Sequence, residues 1–310
     1  MFRALLLRIL SAIPTLLVII TAAFLLMRLA PGGPFDEEQA LLPEVRRNLE
    51  SAYGLDRPLI AQYIAYVQGV SRGDFGPSFR YKDQSVSELI GAGLRVSAEL
   101  GAWAMLVAVF LGVPLGVLAA LYRGAWLDVT VMSLALTGIV VPAFVLAPLL
   151  ALVFGVHLHW LPVAGWDDAS PAHRVLPVLT LALPFIAYIA RLMRGSVLEV
   201  LSAPYIRTAR AKGLATTHVL IRHVLPPALL PVVSYLGPAT AGVLTGSLVV
   251  EQVFALPGVG RYFVQGAINR DYTLVMGVVI CYAALIIVLN ILVDLLYGVL
   301  DPRLKMGSGR

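Results

Sequence analysis

The feature of this sequence that most constrains its fold is a series of six apolar runs, each long enough to cross a lipid bilayer as a helix. They cover residues 9–29, 97–121, 127–153, 175–191, 227–250 and 274–297. About 20 apolar residues in a helix span the roughly 30 Å of hydrocarbon, and backbone polar groups in lipid are satisfied only within helices or closed barrels. The sequence therefore predicts an all-α membrane protein with six transmembrane helices.

Composition supports a polytopic membrane protein and excludes several other classes. Hydrophobic residues make up 59% of the chain and charged residues 13%, with a mean hydropathy of +0.86. One Cys and five His leave no disulfide framework and little capacity for metal ligands. The net charge of +5 is expected to reflect basic cytoplasmic loops, so no nucleic-acid partner is predicted.

The first apolar run follows Arg3 and Arg8 and ends at Arg28. A cleaved signal peptide is the alternative to a membrane helix. The run is longer than the usual apolar region of a signal peptide, about 7–15 residues, and no small-residue cleavage site follows it. We therefore interpret residues 1–29 as an N-terminal tail and first transmembrane helix.

Residues 30–96 are polar and too long for a simple hairpin between two spans, and we expect an extracytoplasmic helical insert there. Helical spacing predicts short helices over Pro43–Tyr53 and Pro58–Val67. Ser85 and Glu88 form the pattern of a capping box at the start of a third short helix. None of the three is expected to cross the bilayer.

Residues 97–298 are predicted to form a core of five transmembrane helices, followed by a cytoplasmic tail at 299–310. Pro142 and Pro148 should kink the third span. Trp160 and Trp166, in the polar and aromatic segment 155–174, are expected near the headgroups of the outer side.

The distribution of basic residues predicts the orientation. Twelve Lys and Arg fall in the N-terminal tail, the loop at Arg123, the loop from Arg191 to Arg222 and the C-terminal tail, whereas the short loops of the other side hold three: Arg174, Arg261 and Arg270. Short cytoplasmic loops carry the excess of Lys and Arg, and long translocated segments are exempt. Both termini and the loop at 192–226 are therefore assigned to the cytoplasm of a bacterial cell.

Within this loop, Tyr205–Pro231 is a basic, mostly polar interval between apolar segments. Small, basic and apolar residues alternate from Ile206 to Leu214 as in a short surface helix, and Gly213 permits a tight bend. Such a helix lies at the membrane surface with one face available to a partner or to lipid headgroups. On charge alone, binding to anionic lipids and binding to a protein partner are equally good interpretations.

The spacing in this interval resembles the coupling motif of binding-protein-dependent ABC importer permeases, E-A-A-x-x-x-G, nine residues, then I-x-L-P. Ala209, Gly213, Leu225 and Pro226 match it. Arg207, Thr208 and His223 stand for the Glu, the first Ala and the Ile, as is usual in the branch that imports peptides and nickel. The resemblance implies that the ATPase contacts the residues Arg207, Thr208, Ala209, Arg210, Ala211, Lys212, Gly213, Leu214, His223, Leu225 and Pro226.

Further elements of the same family follow the fifth run and extend the resemblance over nearly the whole chain. They are similar to the S-x-V-x-E, L-P-G-x-G and N-R-D-Y elements of peptide-importer permeases and lie at Ser247–Glu251, Leu256–Gly260 and Asn269–Tyr272. The resemblance implies a permease of the type I importer kind in the bacterial inner membrane. It also implies four partners: a second homologous permease, two ABC ATPase subunits and an extracytoplasmic peptide-binding protein.

The chain has no Walker A motif for ATP. Lys82, Lys212 and Lys305 are its three lysines, and none follows the Gly that a Walker A motif requires. We therefore expect a non-catalytic subunit without a cofactor, with ATP and Mg²⁺ bound by the partner ATPases. The insert at 30–96, and more weakly Arg270 and Asp271, are the hypothetical docking sites for the binding protein.

Alternatives remain open at three places. The same chain could serve dipeptides, glutathione or nickel chelates. Gly69–Gly73 has the letters of a serine-hydrolase elbow, but Ser71 follows a helical pattern and not a strand. Gly112 with Gly116, and Gly242 with Gly246, fit close helix packing inside the subunit better than a seam between two permeases.

Charged residues of the apolar runs fall near their ends, where snorkelling or solvent can accommodate them. This weighs against an ion-coupled secondary transporter. The residues in question are Arg28, Glu99, Asp128, Arg191, Glu251 and Asp294.

Overall fold

The computed structural model describes residues 2–29, 44, 47, 48, 51, 54–81 and 83–300. The helices, numbered in chain order, are α1 Phe2–Leu29, α2 Leu59–Ser71, α3 Val86–Leu121, α4 Trp126–Val140, α5 Ala143–Leu150, α6 Ala172–Leu201, α7 Pro204–Ala211, α8 Thr216–Val219, α9 Leu225–Val253, α10 Val259–Ile268 and α11 Tyr272–Leu300. Two π-helical turns, Ala151–His157 and Leu220–Val224, continue α5 and precede α9.

Within these residues, five helical stretches are long and apolar enough to cross a membrane. They are Leu10–Leu29, Val86–Leu121, Ala172–Leu201, Thr216–Leu244 and Tyr272–Leu292. A sixth is obtained if Trp126–Val140 and Ala143–His157 form one broken span. The predicted all-α membrane fold is thus confirmed.

The third predicted span is broken much more sharply than a proline kink. The helix axis bends by 108° between its two arms, after Val140. Val141 takes an extended conformation with ψ of 117°, and Pro142 with ψ of 147° precedes α5. Proline lacks the N–H that would continue the helix and pushes the preceding residue out of helical geometry. Pro142 therefore accounts for the position of the break.

The expectation of a third short helix at Ser85 is wrong in length but right at its start. The backbone N–H of Ser85 donates to Oε2 of Glu88 at 2.9 Å, and the N–H of Glu88 donates to the Ser85 hydroxyl at 3.2 Å, which is the predicted capping box. The helix it begins is α3, which runs without interruption for 36 residues into the second apolar run. The polar residues before residue 97 do not end it, because Glu and Arg are good helix formers.

The other helices of the expected insert have mixed outcomes. The helix predicted over Pro58–Val67 is present as α2, four residues longer at its C-terminal end. The helix predicted over Pro43–Tyr53 falls mostly outside the described residues. Ser71, the serine of the elbow-like motif, is the last residue of α2, and its hydroxyl donates to the carbonyl of Gln68 at 2.7 Å. It therefore follows a helix, as predicted, and lacks the strand that a nucleophile elbow needs.

The described chain divides into two compact units, and the division falls inside α3 and α11. The first unit contains Ala98–Leu256 and is organised around α6. Cβ atoms added at Gly112 and Gly116 of α3 would lie 2.9 Å from Cβ of Ile189 and 2.7 Å from Cβ of Met193. Only glycine permits so close an approach of α3 to α6.

The glycines of α9 pack in the same way. Gly242 and Gly246 face Phe185 and Leu181 of α6, with added Cβ atoms at 3.4 and 3.2 Å. Both glycine pairs therefore pack inside this subunit, as preferred from the sequence.

The second unit contains Phe2–Ser97 and Pro257–Ile287. Phe24 of α1 packs edge to face on Tyr63 of α2, with ring centroids 5.4 Å apart, and the Thr21 hydroxyl is 2.7 Å from that of Tyr63. The Ser97 hydroxyl accepts the N–H of Val259 at 2.9 Å, where α10 begins. Gly258 is the residue before α10, and Gly260 is the second residue of that helix.

Candidate functional site

The predicted surface helix of the basic interval is α7, Pro204–Ala211. Pro204 occupies the first helical turn, where the missing N–H costs nothing. Ile206 and Ala209, three residues apart, are buried, with 0% and 7% of their surface exposed. The exposed residues of the same helix include Arg207, Thr208, Arg210 and Ala211. An amphipathic helix is therefore held to the subunit by its apolar side and presents basic residues on the other.

Gly213 ends this helix in a left-handed conformation, with φ of +77°. The N–H of Leu214 donates to the carbonyl of Ala209 at 3.4 Å and the N–H of Gly213 to that of Arg210 at 2.9 Å. This pair of hydrogen bonds is the Schellman motif, which places glycine at this position because it has no Cβ to clash. The bend predicted at Gly213 is confirmed.

After the bend, the chain returns to the membrane through α8 and the π-helical turn. Val219 and Val224 are buried, with 2% and 0% of their surface exposed, and fix this return to the subunit. His218 and His223 lie on it with ring centroids 6.0 Å apart. Leu225 and Pro226 open α9. The residues that match the second half of the family motif thus form the transition from loop to membrane helix.

The structure brings the predicted coupling residues into one continuous loop, Pro204–Pro226, which we name the α7–α9 loop. Arg207, Arg210 and Lys212 are exposed. None of the three forms an ion pair with any residue in the described part of the chain. Their charges are consequently available to a partner.

The small size of Ala209 and of Gly213 is explained by the structure of this chain itself. Ala209 is small because it packs against the subunit itself, as its burial shows. Gly213 is required by its positive φ, and an added Cβ there would have no atom within 4 Å. The close approach of a partner is therefore not needed to explain why either residue is small.

Arg270 and Asp271, the weaker docking candidates, differ in exposure. The Asp271 carboxylate is fully buried and accepts hydrogen bonds from the Ser78 hydroxyl, the Thr273 hydroxyl and the N–H of Leu274. It caps the first turn of α11 and ties the segment after α2 to it. Arg270 is partly exposed and has φ of +55°. Of the two, only Arg270 can touch a docking partner.

Tyr81 and Tyr262 lie near this cap. Tyr81 donates its hydroxyl hydrogen bond to Gln265 at 2.7 Å and stacks edge to face on Tyr262 at 5.8 Å. Burial raises the pKa of Tyr81, with smaller contributions from Tyr262 and Asp271 that act in the same direction. Its phenol therefore stays neutral and can keep donating.

Two carboxylates near the ends of the apolar runs form ion pairs with arginines. Asp128, with 6% of its side chain exposed, makes a bidentate ion pair with Arg194 of α6. Glu99 pairs with Arg174 through Nε at 2.7 Å, and Arg174 also lies 4.8 Å above the Trp166 ring. Sequence reasoning missed both pairs because their partners are 66 and 75 residues apart.

Over the described residues, no group of three or more His, Cys, Asp or Glu could hold a metal ion. His218 is exposed and His223 is partly exposed on the α7–α9 loop.

The arrangement of helices is that of a known class of transporter subunit. The chain superposes on the structure titled "Inward facing conformations of the MetNI methionine ABC transporter" with a TM-score of 0.60 and 19% identity, covering 69% of this chain and 96% of that one. It also superposes on "Crystal structure of an amino acid ABC transporter with histidines" with a TM-score of 0.53 and 18% identity, covering 68% and 94%. The fold is thus that of a type I ABC importer permease.

The family of this chain is shown by its sequence. The chain belongs to the family described as binding-protein-dependent transport system inner membrane component, whose model matches residues 112–306. The model of the N-terminal part of such components matches residues 1–85. The protein is accordingly an inner-membrane permease component of a transport system.

Its relatives are similar over their full length. The oligopeptide transport system permease protein OppB of Escherichia coli is 52% identical over 98% of this chain and 100% of its own. OppB of Haemophilus influenzae is 50% identical over 96% and 97%. The dipeptide transport system permease protein DppB of Bacillus subtilis is 48% identical over 94% of both.

Proposed function

We propose that this chain is the permease subunit of an ATP-driven peptide importer and forms one half of its translocation pathway. The observation that carries the proposal is the 52% identity to an oligopeptide permease over 98% of this chain. The expected partners are a second homologous permease, two ABC ATPases that bind ATP and Mg²⁺, and an extracytoplasmic peptide-binding protein. The subunit itself would be non-catalytic and would carry no cofactor.

The α7–α9 loop is the proposed contact for an ATPase. Its support is physical: Arg207, Arg210 and Lys212 are exposed while Ile206, Val219 and Val224 are buried. A loop anchored by buried apolar side chains transmits a push or pull to the helices that flank it, here α6 and α9. In this proposal the loop and both termini face the cytoplasm, and Arg270 and the segment 30–96 face the binding protein.

The direct test is purification of the complex through a tag on this chain, with every subunit identified by mass spectrometry. We expect a second permease and ATPases that contain Walker A motifs. In proteoliposomes, ATP hydrolysis should rise when the loaded binding protein is added from outside. A purified complex without an ATPase would contradict the proposal.

The substrate length is the second part of this test. The 48% identity to a dipeptide permease favours a dipeptide importer as the alternative. Uptake of a dipeptide and a pentapeptide of the same composition distinguishes the two. We expect the pentapeptide to be taken up, and uptake of the dipeptide alone would favour the alternative.

A further inference from the structure

One face of α6 is buried near the start of the helix and exposed further along it. Pro177 and Leu181 are buried, whereas Tyr188, Arg191, Gly195 and Glu199 are exposed. Residues that recur every three or four positions share one face of a helix, so all six lie along the same side. The open part of this face borders a cavity of about 610 Å³, whose other wall includes Pro231 of α9.

Tyr188 also connects the two walls. Its ring stacks on that of Tyr235 of α9, with centroids 4.1 Å apart and ring planes inclined by 21°. The Tyr188 ring together with the charged groups of Arg191 and Glu199 gives this cavity the mixed lining that is typical of a ligand site. Its volume also falls in the range of such sites, about 300–1,000 Å³.

Among the described residues, the two charges of this wall differ from their neighbour Arg194 in having no ion-pair partner. Arg194, on the same helix, is held by Asp128. By contrast, the described residues provide no ion pair for Arg191 or for Glu199. Arg191 ends the predicted span 175–191 and Glu199 lies beyond it, so both charges can face water and are available to a charged ligand.

The spacing of the two charges suits a short peptide. Arg191 and Glu199 are eight residues apart, which corresponds to about 12 Å along the helix axis at about 1.5 Å per residue. An extended chain covers about 3.3–3.6 Å per residue, so a peptide of three or four residues spans this distance. Such a peptide carries a carboxylate at one end and an ammonium group at the other.

We propose that this wall of α6 contacts the peptide during transport, with the Arg191 guanidinium binding the C-terminal carboxylate, Glu199 receiving the amino terminus, and Tyr188 packing on a side chain. The proposal rests on the function proposed above and names residues that line the pathway. Its chemistry is charge-assisted hydrogen bonding between guanidinium and carboxylate.

Site-directed cross-linking tests the location. In the complete importer with Cys281→Ser, we would compare Tyr188→Cys and Gly195→Cys with Val175→Cys, which is similarly exposed on another face of α6. A Cβ at Gly195 meets no atom within 4 Å, so this variant should fold. The probe is a tripeptide with a bromoacetyl group on a lysine side chain. We expect labelling at positions 188 and 195 that requires ATP and the binding protein, and none at 175.

Two outcomes would overturn the location. The first is equal labelling at all three positions. The second is a disulfide from Tyr188→Cys to a cysteine of the second permease without peptide labelling, which would make this wall a subunit interface. If the importer with an unmodified α6 takes up no peptide, it is the proposed function that fails, so the two failures are distinguishable.

Peptide end groups test the role of Arg191. We would measure uptake of a tripeptide with a free carboxylate and of its C-terminal amide, in Arg191→Gln and Arg191→Lys. We expect Arg191→Gln to lower uptake of the free acid about three- to ten-fold more than uptake of the amide, as for the loss of one partly exposed charge-assisted hydrogen bond. Arg191→Lys should restore part of the difference. Equal losses for the two peptides would overturn the assignment.

Discussion

Arg194 of α6 grips Asp128 of α4 with two parallel hydrogen bonds, Nε to Oδ1 at 2.5 Å and Nη2 to Oδ2 at 2.7 Å. The N–H of Gly124 donates a third bond to Oδ2 at 2.9 Å. This geometry fixes the first turn of α4 to the helix at the centre of the first unit. Guanidinium and carboxylate are matched in shape for such a pair, which lysine cannot reproduce.

Breaking this pair should destabilise the permease more than removing a neighbouring arginine. Arg194→Gln leaves a carboxylate that is 6% exposed without its cation, and we expect a loss of about 2–4 kcal/mol. Thermal unfolding of the purified complex measures it. Arg191→Gln is the matched control, because no described residue pairs with Arg191, and its midpoint should be unchanged. Equal midpoints for the two variants would contradict the assigned role.

Gly213→Ala should weaken the Schellman turn of the α7–α9 loop. An alanine at φ of +77° costs about 1–2 kcal/mol, so amide exchange in Pro204–Leu214 should become faster and stimulation of ATP hydrolysis should fall. Gly91→Ala is the control, since it lies within α3 and has open space around it. If Gly213→Ala exchanges no faster than the control, the strain argument is wrong.

Gly116→Ala should separate α3 from α6. The new methyl group would meet the backbone of Ala190 and lie 2.7 Å from Cβ of Met193. Overpacking of this kind costs about 1–3 kcal/mol. Gly91→Ala, in the same helix with no atom within 4 Å of the new Cβ, should be neutral or slightly stabilising. Thermal unfolding checks this: the midpoint should fall in Gly116→Ala and should not fall in Gly91→Ala.

Arg270 and Asp271 should respond differently to substitution. Asp271→Ala removes a buried cap with three donors, and we expect a loss of stability of about 1–3 kcal/mol. Arg270→Ala removes a partly exposed side chain and should weaken stimulation by the binding protein. Full stimulation in Arg270→Ala would remove this residue from the docking proposal.

Accessibility labelling tests the orientation. With Cys281→Ser as background, a membrane-impermeant maleimide added outside should react with Arg72→Cys, next to α2, and spare Lys212→Cys until the membrane is opened. Both positions are exposed in the structure, so reactivity reports the side of the membrane. Labelling of Lys212→Cys in intact cells would place the α7–α9 loop outside and contradict the proposed coupling.

Local chemistry made much of this fold predictable. The turn at Gly213, the cap formed by Ser85 and Glu88 and the break at Pro142 are each determined by the side chains, or by the lack of one, at those positions. Each therefore lies where the sequence indicates. The length of α3 was not predictable in this way, because charged residues mark the edge of a membrane without ending a helix.

The features that could not be predicted depend on partners that are distant in the sequence. Nothing in the sequence around Asp128 identifies Arg194 as its partner, and nothing near Asp271 identifies Ser78. Asp271 looks like a surface residue in a polar motif, yet it is buried because two distant segments meet on it. The exposed wall of α6 could not be predicted from the sequence for the same reason, since Tyr188 and Tyr235 become neighbours only in the fold.

The corner after Val140 has a topological consequence for everything that follows it. Each arm of Trp126–Val140 and Ala143–His157 is about 22 Å long at about 1.5 Å per residue, shorter than the hydrocarbon it would have to traverse alone. The two arms together form either one crossing or none, so this corner sets the parity of all later crossings. Were the chain to turn back there, α6 would enter from the opposite leaflet, and the basic loop would emerge on the side of the membrane opposite to the one proposed for its contact with an ATPase.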